Sequence, residues 1–297
     1  MKILIISGGI SSERKISFTS ARHVKKALQE VGYRVKIFDL KDGYEKLEDL
    51  SRDYDIIFPV IHGEEGEGGK LNKFLATLGK PYVGGNWKGY KKGWYKIPFK
   101  KFCEKNNIPT SPWQKIKTKQ EIKNFGFPSV LKSSSGGSSK EVAILKTSKD
   151  LRSYPCYKLL KSNLPLFVEK HLSGIEVTVG ILRNEALPII EIIPPKGSWF
   201  SYENKYSSIT KELVNAPSLD NTLKRKVQEI ALGIHKKLNL GAFSRIDFII
   251  SKNVPYCLEV NTIPGMTAQS LFPLASKEAG ITFPQLVKKL VTSAFEK

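Results

Sequence analysis

Cysteine is scarce in this chain, with three among 297 residues. Cys103, Cys156 and Cys257 lie far apart and form no CxxC pair, which excludes a thioredoxin-like redox site and a sequence-local zinc knuckle. The same scarcity fits a reducing compartment. Histidine is also sparse, and His23, His62, His171 and His235 show no HExxH spacing, so a zinc-protease helix is excluded. No apolar run reaches the length of about 18 residues that a membrane-spanning helix needs. The opening MKILIISGGI lacks a cleavage site and reads as a first core strand entering a glycine turn. Acidic residues are outnumbered, 28 Asp+Glu against 48 Lys+Arg, for a net charge of +20. That excess favours anionic partners, nucleotides and nucleic acid among them, without bearing on fold. The densest basic stretch, Lys88–Lys105, interleaves Tyr90, Trp94, Tyr95 and Phe99 with lysines. No RNP, KH or zinc-finger pattern accompanies it, so nucleic acid is not an expected partner. Internal repeats and low-complexity tails are absent.

What is present centres on Phe243–Met266, FSRIDFIISKNVPYCLEVNTIPGM. Two runs of strand character, Phe243–Ile250 and Pro255–Val260, flank a short polar turn at Ser251–Asn253. Alternation puts Arg245, Asp247 and Ile249 on one side of the first run and Ile246, Phe248 and Ile250 on the other. If the runs pair as a hairpin, Asp247, Glu259 and Asn261 converge on one face. Oxygen ligands beside an arginine suit Mg²⁺ and a phosphate better than zinc, because a hard cation prefers carboxylate and amide oxygens. The competing interpretation is a solvated strand face. The Asn261–Met266 turn weighs against it, since a Pro-Gly break places backbone N–H groups near the same spot.

The rest of the chain divides into three units. Residues 1–85 alternate strand and helix: Lys2–Ile6, a helix with Phe18, Ala21, Val24, Leu28 and Val31 on one face, Tyr33–Leu40, Asp55–Ile61, and a helix carrying Leu71, Phe74, Leu75 and Leu78. This predicts a small parallel sheet with helical layers and a ligand edge beyond the strand ends, where two glycine turns sit. The first turn, GGISSE, does not match the GxGxxG dinucleotide fingerprint. Residues 86–172 carry a strand ending at Lys132, the polar loop Ser133–Lys140, the strand Val142–Leu145, and Phe167–Lys170. The loop is not a Walker motif, but its backbone and hydroxyl donors beside Lys132 could wrap phosphates; a plain hairpin is the alternative. Residues 173–297 begin with paired strands Ile175–Leu182 and Leu187–Ile193. They continue through a polar-aromatic loop, Gly197–Tyr206, an amphipathic helix over Leu219–Leu238, the central hairpin and a closing helix, Phe283–Phe295.

Taken together, GGISSE at Gly8–Glu13, HGEEGEGG at His62–Gly69, the strand ending at Lys132, YENKY at Tyr202–Tyr206, and R-I-D with LEVNTIPGMTAQSL over Arg245–Leu271 resemble the D-alanine–D-alanine ligases of the ATP-grasp superfamily. The resemblance spans essentially the whole chain and keeps the family's order of landmarks. It implies a mixed α/β, ATP-grasp fold: an N-terminal parallel α/β domain, a central lid domain, and a C-terminal domain with an antiparallel sheet. It implies ATP bound between the last two, and Mg²⁺, two ions expected, with Mn²⁺ as a substitute. By the same resemblance Lys96 and Lys132 contact ATP phosphates, Lys205 approaches the γ-phosphate, and Glu169 and Glu176 serve the adenine-ribose region. Asp247, Glu259 and Asn261 hold the metal. Glu13 pairs with the ammonium of the first D-alanine, and His62 lines its pocket. Ser138 and Tyr206 link across the site to close the lid; Arg245 and the Gly265 amide form the oxyanion site; Ser270 and Leu271 receive the second carboxylate. The implied activity is ATP-dependent formation of D-alanyl-D-alanine through an acyl phosphate, for peptidoglycan precursors, by a cytoplasmic homodimer without membrane association.

Several positions depart from the family pattern. Lys132–Glu141 lacks the family's proline, glutamate and final glycine in the lid loop, while Lys132, Gly137, Ser138 and Ser139 remain. Gly68 replaces an aspartate, Asn72 a glutamine, and Tyr95 an aspartate before Lys96. An altered lid leaves two alternatives: a ligase for another amino acid or small acid, or a noncatalytic ATP-binding paralogue. Tyr206 favours two D-alanines over a D-lactate ester, because relatives that make the ester place histidine there.

Overall fold

The structure, a computed structural model, describes residues 1–137, 141–195 and 209–296. It begins with β1 (Lys2–Ser7), α1 (Arg14–Glu30), β2 (Arg34–Asp39), α2 (Tyr44–Ser51) and β3 (Ile56–Pro59). The strands form a parallel sheet in the order β2-β1-β3. Ile3, Leu4, Ile5 and Ile6 of β1 are all fully buried, as expected of a central parallel strand covered on both faces. After β1 the chain turns through Gly8 and Gly9, both at positive φ. A Cβ on Gly8 would lie 2.2 Å from Asp39 Oδ1, so only glycine lets the strand end pass that close to β2. Next come α3 (Glu64–Glu67), α4 (Lys70–Thr77), α5 (Trp87–Trp94) and α6 (Lys96–Lys105).

The middle of the chain contributes β4 (Trp113–Ile116), α7 (Lys119–Phe125), β5 (Ser129–Ser133), β6 (Val142–Leu145), α8 (Tyr154–Lys161) and β7 (Leu166–Lys170). Its antiparallel sheet has the order β4-β7-β5-β6 and its own small core, built on Ile116, Ile122, Leu131, Leu145, Cys156 and Val168. Helices α5 and α6, grouped by sequence with this unit, send Tyr90, Phe99, Phe102 and Cys103 into the larger core instead.

The last unit holds β8 (Ile175–Leu182), β9 (Glu185–Ala186), β10 (Ile190–Ile193), β11 (Lys211–Val214), α9 (Asn221–Leu238), β12 (Phe243–Ser251), β13 (Val254–Asn261), α10 (Leu271–Glu278) and α11 (Phe283–Ser293). Its sheet runs β11-β10-β8-β12-β13, with β9 also on β8 and every pairing antiparallel. The expected strand over Leu187–Ile193 is shortened to Ile190–Ile193, because Pro188 offers no N–H to a ladder.

The β12–β13 hairpin turns through Lys252 and Asn253, both at positive φ, the backbone that a two-residue hairpin loop demands. From that turn the ladder pairs Ile250 with Pro255 and Phe248 with Cys257. Unbroken pairing would then set Asp247 against Leu258 and turn Glu259 toward the core. The ladder shifts between Asp247 and Phe248, so Asp247 faces Glu259 and Arg245 faces Asn261. One extra residue, Leu258, thus reverses the parity of β13: Cys257 and Val260 stay in the core while Glu259 and Asn261 come to the open face.

Glycine also permits the seating of α5, whose far end carries Trp94 and leads into Lys96 at the start of α6. A Cβ on Gly89 would lie 1.7 Å from the Leu238 carbonyl oxygen at the end of α9. Gly89→Ala is expected to cost about 1–3 kcal/mol through overpacking. Urea unfolding reads this as a lower midpoint, and an unchanged midpoint would contradict so close an approach.

Candidate active site

Two connected pockets meet at the hairpin. The first lies between the four-stranded and the last sheets, walled by Val130, Val142, Ile144, Leu172, Ile249 and Leu258. Into it project Lys132 from β5, Glu169 from β7, Glu176 from β8, Asp247 from β12, Glu259 from β13, and Lys96 from the start of α6. Lys132 Nζ lies 2.6 Å from Glu169 Oε1, and Lys100 pairs with the other oxygen of that carboxylate. Burial alone would raise Glu169, but the two ammonium groups reverse this and bring its carboxyl down to about 2. For Lys132, burial pulls the ammonium down and Glu169 more than offsets it, with help from Glu259 and Glu176. Both groups are therefore charged at neutral pH.

At the junction, Asp247 is held on several sides. Arg245 Nε and Nη2 each donate to it at 2.9 Å, a two-pronged match of guanidinium to carboxylate. Thr178 Oγ1 donates at 2.5 Å and Asn261 Nδ2 at 3.0 Å. Burial opposes the charge on Arg245, yet Asp247, with smaller contributions from Glu259 and Glu67, keeps the guanidinium firmly protonated. Glu259, opposite Asp247 in the ladder, lies 3.7 Å from Lys96 Nζ. Among the described residues no three His, Cys, Asp or Glu side chains gather as a metal site. The donors that do converge are two carboxylates and an amide whose nitrogen is already spent on Asp247. This all-oxygen set fits Mg²⁺, which usually takes one or two protein carboxylates and completes its shell with phosphate oxygens and water.

The second pocket is lined by Glu13, His62, Glu67, Trp94, Arg245, Asn261, Gly265, Ser270 and Leu271. It shares Lys96, Gly136, Gly137 and Glu259 with the first. His62 is buried, its backbone N–H donating to Ser17 Oγ at 2.9 Å and its Nε2 3.2 Å from Ser20 Oγ. Burial lowers its pKa against a partial opposing pull from Glu13, which leaves a neutral imidazole at neutral pH. Ser270 precedes α10, its hydroxyl 2.8 Å from Thr267 Oγ1, and this helix start faces the pocket.

The described start of the loop after β5 bridges the two pockets. The Lys96 backbone N–H donates to the Ser134 carbonyl at 2.8 Å, and the Ile97 N–H to Ser134 Oγ at 3.2 Å. Lys96 Nζ donates to the Gly136 carbonyl at 2.8 Å. Ser134 thereby satisfies the first N–H groups of α6, whose own N-cap, Tyr95, makes no side-chain cap. Tyr95 reaches instead to Glu64 Oε1, which explains how a tyrosine is accommodated before Lys96. A Cβ on Gly137 would meet Glu13 Oε2 at 2.9 Å, so the loop passes directly over that carboxylate. The structure thus brings together Glu13, His62, Lys96, Lys132, Glu169, Glu176, Arg245, Asp247, Glu259, Asn261, Gly265, Ser270 and Leu271. Ser138, Lys205 and Tyr206 lie outside the described residues.

Sequence reasoning missed Lys100, hidden in a lysine-rich run, and Glu67, the third glutamate of HGEEGEGG. Glu67 accepts the Gly63 N–H at 3.1 Å. Burial, reinforced by Glu13, pushes its carboxyl up to about 8.

A sheet-walled cleft with converging lysines, opposed to a carboxylate-bearing hairpin, is the architecture of an ATP-grasp ligase. The comparisons narrow the class further. The family description "D-ala D-ala ligase C-terminus" matches residues 93–292. A D-alanine–D-alanine ligase from Aquifex aeolicus is 38% identical, over 98% of this chain and 100% of the relative, and one from Maridesulfovibrio salexigens is 36% identical, over 98% and 97%. The crystal structure of the Bacillus anthracis D-alanine–D-alanine ligase complexed with ATP superimposes with a TM-score of 0.86 at 29% identity, covering 100% of this chain and 98% of that one. The chain belongs to the D-alanine–D-alanine ligase family.

The Glu67 carboxyl carries a pH signature. Its ordinary value is 4.5, so between 4.5 and about 8 the folded protein keeps a proton that the unfolded chain has lost. Stability from this group is therefore complete below 4.5 and declines as pH rises toward 8. Glu67→Gln is neutral throughout, and its stability relative to wild type is expected to improve steadily from pH 5 to pH 8. A constant difference in urea unfolding across that range would contradict a buried neutral carboxyl.

Proposed function

We propose that the chain joins two D-alanine molecules at the expense of ATP, forming D-alanyl-D-alanine for peptidoglycan precursors. The observation that carries this reading is the shared hairpin. Asp247 and Glu259 face the cation-lined cleft, while Arg245 and Asn261, on the same strands, face the pocket that holds Glu13 and His62. A phosphate donor and an acceptor carboxylate held in those pockets would meet at one place. ATP lies in the first pocket with its phosphates toward Lys96 and Lys132 and its base and ribose toward Glu169 and Glu176. Asp247, Glu259 and Asn261 hold Mg²⁺, which supplies charge neutralisation for the transferring phosphoryl group when bound.

The first D-alanine places its ammonium by Glu13, and its carboxylate oxygen attacks the γ-phosphate, releasing ADP. The second D-alanine, its carboxylate at Ser270 and the start of α10, attacks the acyl phosphate through its amine. The tetrahedral oxyanion then forms within reach of Arg245 and the Gly265 N–H, and collapse expels phosphate. A fixed donor at such an oxyanion typically accounts for a factor of about 10²–10³. Water would hydrolyse the acyl phosphate, so the Ser133–Lys140 loop, with Ser138 paired to Tyr206 and Lys205 at the γ-phosphate, serves as a lid. We assign residues 1–85 to the first amino acid, 86–172 to the lid, and 173–297 to metal binding and catalysis. The working form is a cytoplasmic homodimer. Among the described residues no helix is long and apolar enough to cross a membrane. Tyr90, Trp94 and Phe99 of the basic stretch are buried and Tyr95 is half-buried on Glu64, which leaves little of the exposed aromatic surface that stacking on single-stranded nucleic acid uses.

Purified protein with ATP, Mg²⁺ and D-alanine is expected to release ADP and phosphate and to form D-alanyl-D-alanine, detected by mass spectrometry. L-alanine is expected to fail, since inversion at Cα exchanges methyl and hydrogen against fixed ammonium and carboxylate partners. Glu259→Gln should lower turnover by about 10–100-fold or more while leaving the unfolding midpoint in place. Turnover with another amino acid pair and none with D-alanine would overturn the assignment, as would an undiminished Glu259→Gln enzyme at limiting Mg²⁺.

A further inference from the structure

Lys100 is the most deeply buried lysine among the described residues, with its side chain 1% exposed. An ammonium is costly to remove from water unless it is fully partnered, so its placement calls for a specific use. It stands one helical turn after Lys96 on α6, and a like-charged pair at that spacing is unfavourable to the helix itself. Lys100 does not line the nucleotide cleft. It reaches the cleft wall from behind, pairing with one Glu169 oxygen and donating to Thr110 Oγ1 at 2.7 Å. Thr110 Oγ1 in turn donates to the Cys257 carbonyl of β13 at 3.0 Å, which ties the ammonium to the hairpin strand. The second Glu169 oxygen lies 2.6 Å from Lys132 Nζ, and both Glu169 and Lys132 do face the cleft.

The charge count of this cluster decides its effect. Within the trio of Lys100, Lys132 and Glu169 two ammonium groups share one carboxylate and leave one positive charge, carried on the cleft side by Lys132, which Glu259 and Glu176 attract more weakly. Without Lys100, Glu169 and Lys132 would neutralise each other, and Lys132 would be held by the carboxylate rather than available to an anion. We propose that Lys100 is a positioning residue for the nucleotide: it occupies Glu169 from behind and so leaves the positive charge of Lys132 to the ATP phosphates. This rests on the ATP-dependent ligase reading and adds a residue that touches neither substrate. The contribution is to nucleotide affinity, because neither Lys100 nor Glu169 lies among the residues of the amino-acid pocket.

The test compares wild type, Lys100→Met, Lys100→Arg, Glu169→Gln and Lys100→Met/Glu169→Gln, by ATP titration and by steady-state kinetics. Lys100→Met is expected to raise the ATP Kd and KM by about tenfold or more, the size of coupling found within one charged network. The KM for D-alanine should stay within about threefold, and Lys100→Arg, which keeps the charge but adds bulk at a buried site, should recover part of the ATP affinity. In the Glu169→Gln background, removing Lys100 should change ATP affinity by less than about threefold, because the group through which it acts is gone. If Lys100→Met alone does not fold, Lys100→Gln against wild type supplies the single-variant loss with which this pair is compared. Unchanged ATP affinity in folded Lys100→Met, equal losses for both substrates, or a large further loss in the Glu169→Gln background would overturn the proposal. Wild type that binds no ATP would instead overturn the ligase reading itself.

Discussion

A single inserted residue in β13 governs the chemistry of this molecule. Side chains on a strand alternate strictly, so a hairpin with a two-residue turn sets every later position on one face or the other. Continued without interruption from Lys252 and Asn253, the ladder would bury the Glu259 carboxylate in the core and present Val260 to the cleft. The bulge at Leu258 corrects this at the one place where it matters. Cys257 remains against the core, and Glu259 and Asn261 turn out to meet Asp247 and Arg245. The two pockets can share a hairpin because the parity of one strand changes halfway along it.

The second organising feature is the way charge is distributed around that hairpin. Isolated ions would be too costly in so dry a place, and the protein provides each with a fixed partner: Arg245 with Asp247, Lys132 with Glu169, Lys96 with Glu259. The partners are graded by exposure. Asp247 and Arg245 are nearly closed off, whereas Glu259 keeps about a third of its side chain open. A rigid pair thus supports a more accessible carboxylate on the neighbouring strand, an arrangement that preorganises the site without sealing it. The lid loop joins the same network through Lys96, whose backbone and ammonium both hold the loop's first residues. The first residues of the loop and the position of the Lys96 ammonium are therefore mechanically linked.

Much of this was legible in the residues alone, for physical reasons. The uninterrupted apolar run of β1 and the alternating R-I-D-F-I-I of β12 are patterns that only burial on two faces or on one face produces. The convergence of Asp247, Glu259 and Asn261 could be anticipated as a possibility of pairing, but not its cause, since a bulge is decided by cross-strand packing rather than by local preference. Lys100 escaped notice because it resembles its exposed neighbours in composition, and only the fold shows which lysine of FKKF points inward. Glu67 was hidden in a run of three glutamates whose burial depends on a short helix, α3, too brief to leave a periodic pattern. Strand β11 was missed for a similar reason: it lies at a sheet edge with Lys211 exposed and the other three residues half-buried, and carries no clean alternation. Tyr95 departs from the family pattern before α6, and the fold accommodates it: the helix start is satisfied by Ser134 from the loop and the tyrosine by Glu64.

The central claim is that the hairpin brings a carboxylate of the first D-alanine into line with the phosphoryl group held by Lys96 and Lys132, so that carboxylate oxygen becomes bonded to phosphorus. Isotope transfer tests this directly. D-alanine labelled with oxygen-18 in its carboxyl group is incubated with the protein, ATP and Mg²⁺, and the released phosphate is analysed by mass spectrometry. The account predicts that the phosphate carries one labelled oxygen for each dipeptide formed. Unlabelled phosphate accompanying dipeptide formation would show that the carboxylate never attacked phosphorus, and would contradict it.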